Sequence, residues 1–276
     1  MKRKIYAKLV EWKNQECHKP LILNGVRQCG KTYILKEFGR AEFDNLAYVS
    51  CDRNDNLQAI YEGDFDTARI IRGLSALTGV DIIPGKTLIF LDEVQAFPQA
   101  LEALKYFCED APEYHIVVAG SLLGVALHAG VSFPVGKVQT MRLFPMDFEE
   151  FLWANGITEP VIELLRQCMQ SGSPVPDALH QRMRELLLQY TVVGGMPDAV
   201  QTFVDTKRMD EVLQIQRDII RSYEDDMVKY ADKKDRAVIR ECFQSIPKQL
   251  SKENKKFQYS VVKKGATASK IGRAHV

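Results

Sequence analysis

Up to about residue 144 the chain alternates between two hydrophobic rhythms, and from residue 147 only one remains. Short, nearly continuous apolar runs occupy residues 20–23, 46–51, 87–91 and 115–119. Runs this short that do not alternate with polar residues predict strands covered on both faces, as in a parallel sheet. Helical spacing fills the gaps at residues 33–38, 57–61, 67–77 and 97–110, the last with Leu101, Leu104 and Phe107 on one face. An opening helix places Ile5, Leu9 and Trp12 together, a stripe that reads as core packing. From Asp147 the pattern is helical throughout, broken at Ser171-Gly172-Ser173-Pro174 and at Gly194-Gly195-Met196-Pro197. The second break predicts a tight bend that opens a helix at Asp198 and is a candidate hinge. The expected fold is therefore α/β, a parallel sheet flanked by helices and followed by a helical region.

The turn after the first strand carries the chemistry. Gly25-Val26-Arg27-Gln28-Cys29-Gly30-Lys31-Thr32 reads G-x-x-x-x-G-K-T, the Walker A phosphate-binding loop, between a strand and a helix as that motif requires. Its glycines let backbone N–H groups close around phosphate oxygens, and the helix N-terminus adds partial positive charge. Lys31 is expected at the β- and γ-phosphates and the Thr32 hydroxyl on Mg²⁺. The run at residues 87–93 ends in Asp92 and Glu93, the Walker B pattern. Asp92 is expected in the Mg²⁺ shell, and Glu93 is the candidate base or positioner for an attacking water. A plain surface acid at a strand end is the alternative for Glu93. A third run ends in Ser121, which could sense the γ-phosphate if its strand lies between the other two. Read alone, Ala119-Gly120-Ser121 is only a turn after a strand.

The order "PLILNGVRQCGKT", "LIFLDEVQ", "VVAGSLLG", "VGKVQTMRLFPMDFEEFL" and "YTVVGGMPDAV" resembles a family of bacterial and archaeal AAA+-type predicted ATPases. The similarity runs from near Ile5 to about Lys270. It implies ATP and Mg²⁺ binding, a helical lid, a winged helix and, beyond these, a C-terminal domain of unknown function. The implied organisation is an AAA+-like nucleotide-binding domain over residues 1–146, a helical lid over 147–230 and a partial winged-helix segment over 231–270. Adenine rests on this resemblance, since no N-K-x-D run for guanine is present. The family commonly has a Gly-Arg pair before the fifth strand, and that Arg is a candidate finger for transition-state charge. Here the pair is Gly136-Lys137, and Lys lacks the planar fork of Arg. Arg142 is a candidate substitute or else a strand-flanking charge, and Arg27 either touches phosphate or pairs with an acid.

Composition changes the picture in three places. The formal net charge is only +1, yet residues 229–270 hold twelve Lys or Arg against four Asp or Glu, a local +8. That asymmetry points to an anionic partner such as duplex DNA, or else to a solvated basic face or a protein-contact domain. The six cysteines form no C-x-x-C pair, so free thiols and a cytoplasmic setting are expected, with no zinc site and no membrane span. Cys29 stands apart, because a helix N-terminus lowers a thiol's pKa and oxidation there would block nucleotide; otherwise it is a small tolerated residue. Finally, residues 271–276 resemble a translated sequencing-library adapter, so a non-native tail that truncates the winged helix and removes the C-terminal domain is expected, the alternative being a short natural disordered end.

Three functions remain open on the sequence. One is a Mg-dependent ATPase that couples nucleotide state to a lid and a C-terminal module, working as a homo-oligomer on a client protein the sequence does not name. Another is an ATP-binding switch with negligible turnover. The last is a DNA-binding regulator whose assembly ATP controls.

Overall fold

The structure is a computed structural model that describes residues 1–52, 54–121, 134–230, 236–253 and 256–262. These form two compact units that divide between Arg208 and Met209.

The first unit is built on five parallel strands: β1 (Leu21–Gly25), β2 (Asn45–Ser50), β3 (Thr87–Asp92), β4 (His115–Gly120) and β5 (Gln139–Leu143). Their order is β2-β3-β4-β1-β5. Every residue of β3 and β4 is buried, whereas edge strand β5 alternates, which is why its signal in sequence is weaker. β4 lies between β1 and β3, pairing Leu21 with Val117 and Leu88 with His115.

Successive strand residues point to opposite faces, so each strand feeds two cores. Leu21, Leu23, Leu88, Phe90, Val117 and Ala119 pack with α1 (Ile5–Lys13) and α2 (Lys31–Glu42) through Ile5, Leu9, Trp12, Ile34, Leu35 and Phe38. Ile22, Val49, Ile89, Leu91, Ile116 and Val118 face α3 (Asn56–Tyr61), α4 (Thr67–Thr78) and α5 (Gln99–Asp110). Asp66 caps α4 by accepting from the amides of Ala68 and Arg69, and Gly79 ends it at φ +67°.

After β5 come α6 (Phe148–Ala154), α7 (Glu159–Ser171), α8 (Asp177–Val193) and α9 (Pro197–Thr206). Asp147 and Glu150 form a capping box at the start of α6. Rings of Phe151, Tyr190 and Phe203 hold α6, α8 and α9 together. At the Gly-Gly bend, the Met146 amide donates to Gly195 O at 2.7 Å and the Tyr190 hydroxyl to Met146 O at 2.8 Å. A Cβ on Gly195 would lie 2.1 Å from Met146 O, so the backbones meet there only because the residue is glycine.

The second unit contains α10 (Met209–Tyr230), α11 (Arg236–Leu250) and α12 (Tyr259–Val262). Its residues pair locally: the Gln249 amide donates to Gln258 O and its carbonyl accepts from the Gln258 amide. α10, placed in the lid by the sequence, thus groups with α11 and not with α6–α9. The final part of the expected winged helix, residues 263–270, and the expected tail, residues 271–276, lie outside the described residues.

Candidate nucleotide-binding site

Because all five strands are parallel, the turns after β1, β3 and β4 open on one rim of the sheet, where α/β folds bind ligands. That rim gathers the Gly25–Thr32 loop, the Asp92-Glu93 pair and Ser121, with Asn24 of β1 paired to Gly120 of β4.

The loop's shape follows from its glycines. A Cβ on Gly25 would lie 2.5 Å from Leu143 O and 2.9 Å from Cys29 Sγ, so only glycine lets the loop leave the sheet here. Gln28 at φ +61° and Gly30 at φ +93° then curl the chain back onto the N-terminus of α2. Lys31, buried, arches over the loop and donates to the carbonyls of Gly25 and Val26, both at 2.9 Å. Val26, Arg27 and Gln28 are on the outer, solvent-facing side.

Next to the lysine, the Thr32 hydroxyl donates to Asp92 Oδ2 at 2.7 Å, and the Tyr48 hydroxyl reaches the same oxygen at 3.4 Å. Asp92 is 4% exposed. Its other oxygen accepts from the Glu93 amide at 3.0 Å. Glu93 sits at φ +53°, a left-handed conformation that costs a non-glycine residue energy and concentrates at functional sites. The Gln95 side-chain amide donates to the Glu93 carboxylate, while Gln95 Oε1 and Asn24 Oδ1 are buried without a protein partner.

Burial, with Asp92 and Glu93 adding to it, pushes the Cys51 thiol up to about 12. Burial and the Asp92 charge raise the Tyr48 phenol as well. Cys29 corrects an expectation. Its thiol is fully buried, its Sγ is 3.7 Å from Leu143 O, and burial raises its pKa against the opposing pull of Lys31 and Arg3. It packs behind the loop as a small apolar group, and the reading of a lowered pKa fails.

The donor set fits Mg²⁺, which prefers hard oxygens: one hydroxyl and one carboxylate meet at 2.7 Å beside a lysine and an anion-binding loop. Lys137 is elsewhere. It pairs with Glu109 at 2.8 Å before β5, at the opposite rim, and so does not reach the loop of its own chain. Arg142, exposed on β5, lies 4.9 Å over the Phe144 ring. Tyr48 had no signal in sequence, since it becomes a neighbour of Asp92 only when β2 and β3 pair; Gln95 lies two positions after Glu93, and only its contact with that carboxylate singles it out.

Among the described residues no cluster of His, Cys, Asp and Glu could hold a metal alone, and no helix is long and apolar enough to cross a membrane. All six cysteines are free. Residues 17–152 match the family model described as an AAA domain, and residues 184–274 match that of a domain of unknown function (DUF8612). No curated protein matches the chain. Among solved structures, the Walker-type ATPase of Pyrococcus abyssi is similar at 14% identity and a TM-score of 0.54, over 91% of this chain and 80% of that one. AMPPCP-bound DnaA from Aquifex aeolicus is more distant: 13% identity, TM-score 0.39, 99% of this chain and 86% of that one. So is the Aeropyrum pernix ORC1 protein in complex with DNA, at 14% identity, TM-score 0.40, 99% and 80%. With a Walker loop on a five-stranded parallel sheet, residues 17–152 form an AAA-type P-loop ATPase domain, a kind of domain that binds and hydrolyses nucleotide.

Proposed function

We propose that the chain binds ATP with Mg²⁺ at this rim and hydrolyses it. The observation that carries the reading is the contact of Thr32 with Asp92 beside Lys31 and Glu93. The loop amides and Lys31 would hold the phosphates, and Thr32 and Asp92 would hold the metal, which when bound offsets charge on the β- and γ-oxygens. Glu93, held by Gln95, would orient the attacking water, and Ser121 would face the terminal phosphate. A cavity of about 330 Å³ beside Gly30, lined by Arg3, Tyr33, Ile34, Pro197 and Gln201, suits a nucleobase. Because α9 forms part of that wall, nucleotide occupancy would bear on the helical region, the lid of this reading.

Lys137 lies at the opposite rim from its own loop, so it would serve as a transition-state cation only toward the loop of another copy. ATP turnover per protomer over a wide range of protein concentration tests this, with Lys31→Ala as the blank. A rate that rises with concentration and vanishes in the variant supports a shared site. A flat, near-zero rate with ATP still bound supports the switch.

A second reading concerns residues 229–270. Their local charge of +8, with helices at Arg236–Leu250 and Tyr259–Val262, fits the opening of a winged helix that contacts duplex DNA. Binding of a labelled duplex that weakens steeply with salt supports it, and salt-independent or absent binding removes it. Six free thiols fit a reducing compartment such as the cytoplasm.

A further inference from the structure

Residues 2–4 carry three consecutive cations, and each meets the helices that follow β5. Lys2 pairs with Glu159 at 2.9 Å and lies 4.0 Å over the Trp153 ring; Lys4 pairs with Asp147 at 2.7 Å and Glu149 at 3.1 Å. These contacts are partly in solvent. Arg3 between them is different, because its side chain is only 6% exposed and that of its partner Glu150 only 7%.

The Arg3 guanidinium makes three contacts in three directions. Nε donates to Glu150 Oε2 at 3.1 Å, Nη1 to the Cys29 carbonyl at 3.0 Å and Nη2 to the Phe144 carbonyl at 2.5 Å. One planar group thus touches the phosphate loop, the exit of β5 and the first turn of α6. Glu150 is equally committed: Oε1 accepts from the Lys4 amide at 2.7 Å, and Oε2 also from the Asp147 amide at 3.3 Å, closing the capping box.

The Cys29 carbonyl belongs to the same peptide plane as the Gly30 amide. That peptide is trans, so its C=O and N–H point in opposite directions. Holding the carbonyl on Arg3 therefore fixes the direction of one of the loop amides that would receive phosphate. A buried ion pair can often be replaced by apolar residues without loss of stability, so burial by itself is weak evidence that this one is there for stability. Its distinguishing feature is geometric: the planar fork reaches three acceptors set in three directions, where an ammonium is a single point charge.

We propose that Arg3 is a positioning residue of the nucleotide site, and that the Arg3–Glu150 pair is the link through which the phosphate loop and α6 set one another's position. This rests on the proposed ATP-binding function. Thermodynamic linkage makes the coupling reciprocal: nucleotide in the loop orders the start of α6, and a change at Glu150 alters nucleotide affinity.

The test uses the full chain as wild type, Arg3→Lys, Glu150→Gln, Lys31→Ala and, as a surface control, Lys2→Ala. Calorimetric titration with MgATP gives affinity. Hydrogen exchange with and without MgATP reads residues 25–32 and 147–154 separately. In the wild type, MgATP protects both segments. In Arg3→Lys the dissociation constant rises about tenfold, within the usual range for the coupling between two linked sites, and protection at 147–154 disappears while that at 25–32 persists. Glu150→Gln, which keeps the shape of the side chain, behaves the same way and carries the test if Arg3→Lys does not fold. Lys2→Ala matches the wild type. Unchanged affinity and retained protection at 147–154 in folded Arg3→Lys or Glu150→Gln, even with a lower melting temperature, would make the pair merely structural and overturn the proposal. Failure of the wild type to bind MgATP, or binding by Lys31→Ala as tight as wild type, would instead overturn the nucleotide reading itself, and the proposal with it.

Discussion

The hydroxyl of Thr32 donates to Asp92 Oδ2 at 2.7 Å, joining the start of α2 to the end of β3 across 60 positions of sequence. Removing either partner should separate chemistry from folding. Asp92→Asn keeps a side chain that can still accept from Thr32 but lacks the charge that would hold Mg²⁺. Turnover should fall at least about a hundredfold, the usual scale for losing one charge-stabilising group at a reacting centre. ATP affinity in excess EDTA should stay within about threefold of wild type, well below that scale. Steady-state turnover and a titration in EDTA check both arms, and equal turnover at saturating Mg²⁺ would remove Asp92 from the metal site.

Glu93 carries both strain and, in this reading, catalysis. Its φ of +53° costs about 1 kcal/mol in a non-glycine residue. Glu93→Gly should therefore melt a few degrees above wild type while losing turnover. Glu93→Gln should lower turnover by about 10²–10⁴-fold with ATP still bound. Thermal melts and phosphate release on the same preparations decide it; a Glu93→Gly protein that melts lower would mean that the contact with Gln95 outweighs the strain.

Gly195 against Met146 tests the bend. With Met146 O only 2.1 Å from the place a Cβ would occupy, Gly195→Ala must push two backbone segments apart. We expect a loss of about 3 kcal/mol, the upper range for overpacking. Gly63, at φ +86° with open space around it, should lose only about 1 kcal/mol on the same change. Urea unfolding of the two variants compares them directly, and equal losses would show that the bend yields easily.

His18 and His115 stack at 3.7 Å between ring centroids, and their Nε2 atoms lie 3.4 Å and 3.1 Å from the carbonyls of Tyr114 and Lys13. Burial, then the neighbouring His18 charge, pushes His115 down to about 4, and burial lowers His18. A depressed histidine stays neutral in the folded chain while the unfolded chain takes up a proton. The stabilisation is thus complete above about pH 6.5, the unfolded value. It is lost as pH falls from there toward 4, by at most about 3 kcal/mol for His115. His115→Phe should flatten that part of the curve, as measured by urea midpoints from pH 7.5 to 4.5. An unchanged slope would place the acid sensitivity elsewhere.

The sequence by itself determined the parts whose physics is local. Strands buried on both faces appear as unbroken apolar runs, and β3 and β4 were legible for that reason. The loop needs glycine at its ends, a lysine and a hydroxyl in fixed succession, so Gly25 to Thr32 could be read without a partner in view. Asp92 and Glu93 followed because a parallel strand delivers its last residues to one rim. Tertiary structure decided whatever depends on which distant segments meet. The Cys29 environment is built by Leu143, 114 positions away, and burial there reverses the shift that its place in the loop predicts. Tyr48 reaches Asp92 only through the pairing of β2 with β3. Arg3, which lies outside every motif in the sequence, meets Glu150 across 147 positions and becomes a buried strut. Periodicity records which face a residue turns to its own element; only the folded chain supplies the neighbour on the other side.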